Sequence, residues 1–195
     1  MVEAATKPKT NRRVRYTQMV IRQSFLELLE TRPIEKITVT DICAKADINR
    51  GTFYAHYADP YDLLARIEQE LLDKIARSLT GVSVATSRAV IRELLTVIRE
   101  DPGLCRSLFS EFGDKAFLKK ILDLGRDKTM EYWRAGAKDV PLAKLEWVYA
   151  FSAYGSMAVI QQWLQSGMRE SPDELAQFMD QLTRHGLQAV IAKRQ

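Results

Sequence analysis

Cysteine is nearly absent from this sequence, and long apolar runs are missing altogether. Its 195 residues contain two cysteines, Cys43 and Cys105, which are far apart and match no disulfide or zinc-ligand spacing. We therefore expect reduced thiols and a cytoplasmic protein. No run of about 18 apolar residues occurs, so no membrane span is expected. The basic N-terminus lacks the apolar segment of a secretory signal, so none is expected there.

Catalytic motifs are missing as well. The chain has two histidines, His56 and His185, and no glycine-rich phosphate loop, nucleophile elbow or HExxH pattern. We therefore predict no catalytic residue, no metal site and no cofactor, and an enzyme is the least favoured class of function. The composition, 46% hydrophobic and 28% charged, is that of an ordinary globular protein.

Positive charge is concentrated at the N-terminus. The net charge is +4, and the residues before Tyr16, with five Lys/Arg and one Glu, account for all of it. We predict a flexible basic arm over residues 1–14, and we expect Arg12, Arg13 and Arg15 to contact DNA phosphates. A solubilising tail is the alternative interpretation of the same charges.

Helical periodicity dominates the rest of the chain, and β-branched clusters occur only at 37–40 and 82–86. The pattern predicts an all-α fold of about nine helices. The first helix is expected over about 15–31, and one long helix over 115–136. We predict a three-helix DNA-binding domain with a helix-turn-helix at 15–79, and a larger helical domain for ligand binding and dimerisation at 80–195.

The segment 38–64 carries strong helix-start signals. Thr38 and Asp41 have the spacing of a capping box. Asn49 is a good N-cap for a short helix at 50–56. Asp59 followed by Pro60 starts the next helix. Two short helices joined by the tight turn 47–49 predict a helix-turn-helix braced by its neighbours.

The second short helix carries the side chains suited to reading DNA. Arg50 can donate two hydrogen bonds to guanine O6 and N7, and Gly51 allows close approach of the backbone. The other candidate contacts in this unit are Thr52, Tyr54, His56 and, at the start of the preceding helix, Thr40. The same pattern would also serve any small three-helix core, and His56 by itself is more often structural.

The string ITVTDICAKADINRGTFYAHYADPYDLL resembles the N-terminal domain of the tetracycline-repressor (TetR) family of bacterial transcriptional regulators. The residues that match its recognition helix are Arg50, Gly51, Thr52, Phe53, Tyr54, His56 and Tyr57, and Tyr57 is therefore included among the candidate DNA contacts. The resemblance covers residues 15–75, and WLQSGMRESPDELAQ is similar to the loop before the last helix of many members. Two residues depart from the family pattern: Asp47 replaces a glycine, and Pro60 replaces a lysine that binds phosphate.

The resemblance implies a homodimer bound to a palindromic, double-stranded operator. It places the dimer interface on the last two helices, where the candidate residues are Ser152, Ser156, Val159, Leu175, Phe178, Met179, Leu182 and Gly186. An intramolecular core is the alternative interpretation of these apolar stripes.

The resemblance also implies a small apolar or aromatic effector in the C-terminal domain. Its candidate contacts are Phe112, Met130, Trp133, Phe151 and Tyr154, which could equally form an ordinary aromatic core. The implied function is a repressor released from its operator by the effector. The alternative is a helix-turn-helix regulator, possibly an activator, that a protein partner controls.

Overall fold

The computed structural model describes residues 9–80 and 87–192, and within these ranges the chain is entirely helical, without a strand. The predicted all-α fold is confirmed, with ten α-helices in the described ranges in place of about nine. A 3₁₀ turn, Ile34–Lys36, lies between the first two helices. The helices are α1 Lys9–Leu29, α2 Val39–Ala46, α3 Arg50–Tyr54, α4 Pro60–Ser78, α5 Ser87–Glu100, α6 Pro102–Leu108, α7 Lys115–Asp123, α8 Arg126–Gly136, α9 Leu142–Gln165 and α10 Pro172–Ala192.

Helix α1 begins before its predicted start at 15. It starts at Lys9, so Arg12 and Arg13 lie on a helix. The sequence offers a reason, because no proline or glycine occurs between Lys9 and Arg15 to stop the helix from extending toward the N-terminus. The rest of the predicted arm, residues 1–8, lies outside the described residues.

The side chains at the centre of α1–α4 are completely buried. Ile21 and Phe25 of α1 meet Ile42 of α2, Phe53 of α3 and Leu63 of α4 in one core. The spacing of four residues between Ile21 and Phe25 places both on one face of α1. Burying each side chain of this size stabilises the fold by about 1.5–3 kcal/mol. This core fixes the short helices α2 and α3, which could not stand alone.

The predicted turn between α2 and α3 is confirmed in detail. Thr38 and Asp41 form the capping box at the start of α2. Asp47 ends α2 in the left-handed conformation, with φ 52°, where Asp is tolerated better than most residues. Asn49 then caps α3. Because each of these contacts is made within a few residues, the turn geometry follows directly from the local sequence.

The predicted single helix over 115–136 is wrong, because it is divided into α7 and α8 at Leu124 and Gly125. Glycine weakens a helix at this point. The side chain of Tyr149, on α9, donates a hydrogen bond of 2.5 Å to the carbonyl of Leu122. This partner satisfies a carbonyl group at the helix end, which a continuous helix would otherwise bond to its own chain.

The N-terminal helices and the C-terminal helices share one continuous hydrophobic core, which includes Ile75 of α4 and Leu95 of α5. Lys74 and Glu100 form an ion pair of 2.7 Å between the same two helices. The hydroxyl of Ser107, on α6, donates to Glu30 at the end of α1. Helix α4 is therefore in contact with both parts of the molecule. In the described ranges, no helix is both long and apolar enough to cross a membrane.

Candidate nucleic-acid interface and effector cavity

The N-terminal end of α3 is held by Asn49. Its Oδ1 accepts hydrogen bonds from the backbone N–H of Thr52 at 2.8 Å and from the Thr52 hydroxyl at 3.1 Å. The backbone donor fixes which end of the Asn49 amide faces Thr52, because only the oxygen can accept. The Thr52 hydroxyl has thus given its hydrogen to Asn49. What remains to face DNA is an acceptor and a methyl group.

Arg50 and Thr40 meet on the exposed surface of the helix-turn-helix. Arg50 is the first residue of α3, Thr40 lies in the first turn of α2, and both side chains are exposed. The Arg50 Nη2 donates a hydrogen bond of 2.5 Å to the Thr40 hydroxyl. Two residues that were predicted separately as DNA contacts are therefore in direct contact with each other.

Gly51 leaves the surface of α3 open next to Arg50. A Cβ added there would lie 3.2 Å from the Asn49 Oδ1, closer than ordinary van der Waals contact. A larger residue would therefore press on the atom that caps α3. Glycine keeps both the cap and the space through which a nucleic-acid backbone can approach.

The aromatic residues that follow separate into exposed and buried positions. Tyr54 is 57% exposed and lies edge-on to Phe53, while His56 is half-buried. Tyr57 is only 9% exposed and packs against Phe53, with the Arg66 guanidinium 5.4 Å from its ring centroid. Burial also raises the pKa of its hydroxyl. The structure thus places Tyr57 in the core and not among the exposed candidate contacts, so it does not support the predicted DNA contact of this residue.

The start of α4 is acidic where the family pattern has a lysine. Pro60 is the first residue of the helix and Asp59 is its N-cap. Asp62 accepts from Arg66 and from the backbone N–H of Ala58, and these hydrogen bonds lower the pKa of its carboxyl. Since two carboxylates lie at this helix end, it offers no cation to a phosphate. Arg12, Arg13 and Arg15 on α1 are exposed.

An apolar cavity of about 130 Å³ lies among α4, α5, α7, α8, α9 and α10. Side chains that line it include Ile75, Leu79, Ile91, Leu94, Ile121, Trp133, Met157 and Ile160. Ser152, Ser156 and Thr129 also line the cavity, and their hydroxyls make no hydrogen bond to any described residue. The cavity is large enough for a small apolar molecule and holds a few polar groups that could orient it.

Trp133 is the only one of the five predicted effector contacts among the described residues lining this cavity. Phe151 and Tyr154 are 83% and 62% exposed and do not line this cavity. Met130 is buried in a separate small cluster with Leu145. Phe112 is half-buried away from the cavity.

The predicted dimer residues also differ in whether they are buried or exposed. Leu175 and Met179 are buried in the protomer's own core, and Val159 packs against it. Ser152 and Ser156 line the cavity. The prediction placed all five on a surface, and the packing of α10 against α5 and α9 gives them intramolecular neighbours instead. The remaining candidates, Phe178, Leu182 and Gly186, are exposed on α10.

An exposed aromatic face on α9 was not predicted from the sequence. It consists of Trp147, Phe151 and Tyr154, and Trp147 is 70% exposed. The spacing of four and three residues places them on one side of the helix. That spacing was available in the sequence, but α9 is apolar on nearly all sides, so periodicity alone did not show which side faces outward.

Taken together, the exposed α3, the left-handed turn and the supporting helices α1 and α4 form a helix-turn-helix, the architecture of a class of transcriptional regulators. Residues 86–185, just over half of the chain, match the family model described as the C-terminal region of TetR-type transcriptional regulators. The chain belongs to the TetR family of transcriptional regulators.

A curated relative agrees with this assignment. The chain is 32% identical over 107 residues to the uncharacterized HTH-type transcriptional regulator YxbF of Bacillus subtilis. That match covers 51% of this chain and 28% of YxbF, so the chain spans less than a third of this relative's length.

Two solved structures share the fold. A TetR transcriptional regulator from Streptococcus agalactiae has a TM-score of 0.62 at 19% identity, over 89% of this chain and 97% of that one. FadR from Bacillus subtilis, solved in complex with stearoyl-CoA, has a TM-score of 0.59 at 13% identity, over 89% and 97%.

Proposed function

We propose that this regulator is a repressor that binds a palindromic operator as a homodimer and leaves it when a small apolar effector binds. The observation that carries the proposal is the exposed N-terminal end of α3, where Arg50 is hydrogen-bonded to Thr40. Helices in this position enter the major groove of DNA with their N-terminal residues near the base edges. Arg50 reads guanine there, and Tyr54 and His56 contact the sugar-phosphate backbone.

Arg12, Arg13 and Arg15 supply the positive charge that the helix-turn-helix lacks. The acidic start of α4 offers no phosphate contact, and residues 16–195 carry no net charge. Each phosphate that these arginines neutralise releases counterions, so log K falls with log salt by about 0.9 per contact. The steepness of the salt dependence therefore measures their contribution.

The aromatic face of α9 and the exposed side of α10 form the proposed dimer interface. Trp147, Phe151 and Tyr154 lie on α9, and Phe178 and Leu182 are exposed on α10. An aromatic side chain buries about 150–250 Å² when it is covered, and a monomer rarely leaves several of them together in water. A palindromic operator requires the two recognition helices to lie about 34–36 Å apart, or a multiple of that distance, and a two-fold dimer through this face is proposed to set that spacing.

The effector is proposed to bind in the cavity beside α4. Ile75 and Leu79, near the end of α4, line the cavity, and the same helix begins directly after the helix-turn-helix. The cavity holds about 130 Å³, whereas ligand pockets usually have about 300–1,000 Å³. A larger effector would therefore displace α4, and the displacement would move α3. By linkage, DNA must weaken effector binding by the same factor.

Selection of bound fragments from genomic DNA tests the function directly. We expect a palindrome, and we expect the protein to block transcription from it in a purified system. Arg50→Ala should weaken operator binding by about 1–3 kcal/mol and relax the preference at one base pair of each half-site. Arg106→Ala, which removes an equal charge from an exposed site on α6, is the control and should bind normally.

Several results would overturn parts of this proposal. Fragments without any shared sequence would exclude specific binding, and equal losses for Arg50→Ala and Arg106→Ala would exclude base reading by α3. Stimulated transcription would show an activator. A co-purifying protein that abolishes DNA binding would replace the small effector with a protein partner.

A further inference from the structure

The hydrogen bond between Arg50 and Thr40 joins two helices across a rigid turn. Ile48 donates its backbone N–H to the carbonyl of Cys43 at 3.1 Å, and Asp47 lies in the left-handed region. Asn49 holds the start of α3. Because the turn is held at three successive residues, the distance between the backbones that carry Thr40 and Arg50 is fixed by the fold.

Arg50 is otherwise free to move. Its side chain is exposed, and no carboxylate of the described residues lies within 4.0 Å of its guanidinium. An exposed arginine samples many rotamers, and fixing them on a base opposes binding through lost entropy. A hydrogen bond that already selects a useful rotamer in the free protein reduces this loss.

We propose that Thr40 is a positioning residue that holds the Arg50 guanidinium in the orientation that reads the base, and so sets specificity at that base pair. This inference rests on the proposed DNA-binding function. Arg50 has five N–H donors and gives one to Thr40, so enough remain for the paired contact with guanine O6 and N7.

The same hydroxyl can link base reading to the DNA backbone. A threonine hydroxyl can accept one hydrogen bond and donate another at the same time. Thr40 accepts from Arg50, so its own hydrogen is available for a phosphate oxygen. The result is a chain of contacts from phosphate to Thr40 to Arg50 to base, in which the position of the backbone and the choice of base support each other.

The rival interpretation is that Thr40 binds a phosphate independently of Arg50. In that case, loss of the hydroxyl weakens binding to every sequence equally, and the effect adds to that of Arg50→Ala. Under our proposal, loss of the hydroxyl lowers the preference for the base that Arg50 reads, and this loss of preference disappears when Arg50 is already absent.

A double-mutant cycle separates the two interpretations. Binding constants of Thr40→Val, Arg50→Ala and the double variant are measured at one salt concentration, on the selected operator and on operators changed at each base pair. Valine has nearly the shape of threonine and suits an exposed site, and Thr40 is not the cap of α2. Melting curves of each variant establish that it is folded.

We expect Thr40→Val to reduce the preference for the base that Arg50 reads by about fivefold, as the net loss of one hydrogen bond would. In the Arg50→Ala background the same change should alter the base preference at that position by less than about twofold, within the usual error of additivity. Thr40→Ser, which keeps the hydroxyl, should restore the preference. Thr96→Val, at an exposed site on α5, is the matched control and should bind normally.

Each other outcome decides against the inference. A uniform and additive loss would show a phosphate contact only, and normal binding by Thr40→Val would show that the hydrogen bond has no role. If Arg50→Ala itself leaves the base preference unchanged, base reading by Arg50 is wrong. That result would overturn part of the proposed function, and with it this inference.

Discussion

The surroundings of the Glu68 carboxyl group oppose its ionisation. It lies on α4, is only 6% exposed, and its Oε1 has no hydrogen-bond partner among the described residues. Its pKa is raised from 4.5 to about 7, chiefly by burial and also by nearby Asp114, while Lys120 lowers it. A charged form in this place lacks both water and a full set of partners.

The raised pKa makes the stability of the fold depend on pH. Above pH 4.5 the unfolded chain loses this proton freely, whereas the folded protein keeps it until about pH 7. The stability gained from the protonated group is therefore complete below pH 4.5, falls as the pH rises to 7, and is lost above it. A difference between 4.5 and about 7 corresponds to about 3 kcal/mol at most, since one pKa unit is about 1.4 kcal/mol.

Glu68→Gln should remove this dependence, because glutamine has the shape of the protonated acid and does not titrate. The variant should become more stable relative to the natural protein as the pH rises from 5 to 8, by up to about 3 kcal/mol. For a chain of this size that is roughly 6–12 °C in Tm. Thermal unfolding followed by circular dichroism at several pH values measures it.

Glu70→Gln is the matched control on the same helix. Glu70 is exposed and pairs with Arg22 on the surface, and exposed pairs contribute about 1 kcal/mol or less. If Glu68→Gln and the natural protein keep the same difference in Tm from pH 5 to pH 8, the carboxyl is not held protonated by the fold. The reasoning from burial would then be refuted.

Three further substitutions test other parts of the structure. Phe151→Glu should weaken dimerisation by about 2 kcal/mol or more, measured by sedimentation. If Tyr132→Glu, at an exposed aromatic residue on α8, weakens the dimer equally, the α9 face is not the dimer interface. Asp47→Gly should stabilise the fold by up to about 1 kcal/mol in urea unfolding, because glycine adopts the left-handed region without strain. If Asp47→Asn gains as much, the loss of charge is the cause instead. Benzene binds apolar cavities of about 150 Å³, so it should raise the Tm of the natural protein. Ala153→Leu should fill the cavity and abolish this rise in Tm. If the rise is unchanged, benzene binds at another site.

The helix starts could be predicted because a helix cap depends on residues three or four positions apart. Thr38 with Asp41, Asn49 and Asp59 all cap the helices that the sequence assigned to them. The break at Gly125 could not be predicted in this way. The carbonyl that it frees at Leu122 is satisfied by Tyr149, a residue 27 positions away.

The effector and dimer candidates were the weakest part of the prediction, and the reason lies in α9. This helix is apolar around most of its circumference, so its sequence does not indicate which side is buried. Packing against α8 and α10 turns Ser152 and Ser156 toward the cavity. The same packing leaves Phe151 and Tyr154 exposed. When both sides of a helix carry the same kind of side chain, only the packing of the neighbouring helices decides which side is buried.

The sequence by itself determined the helix-turn-helix, because its caps, turn and inward-facing residues are all set within a short stretch of chain. It also predicted Arg50 and Thr40 as separate DNA contacts. Only the tertiary structure brought them together at 2.5 Å, placed Glu68 out of water and formed the cavity beside α4. These features depend on residues distant in the chain, and their contacts are decided by how whole helices pack.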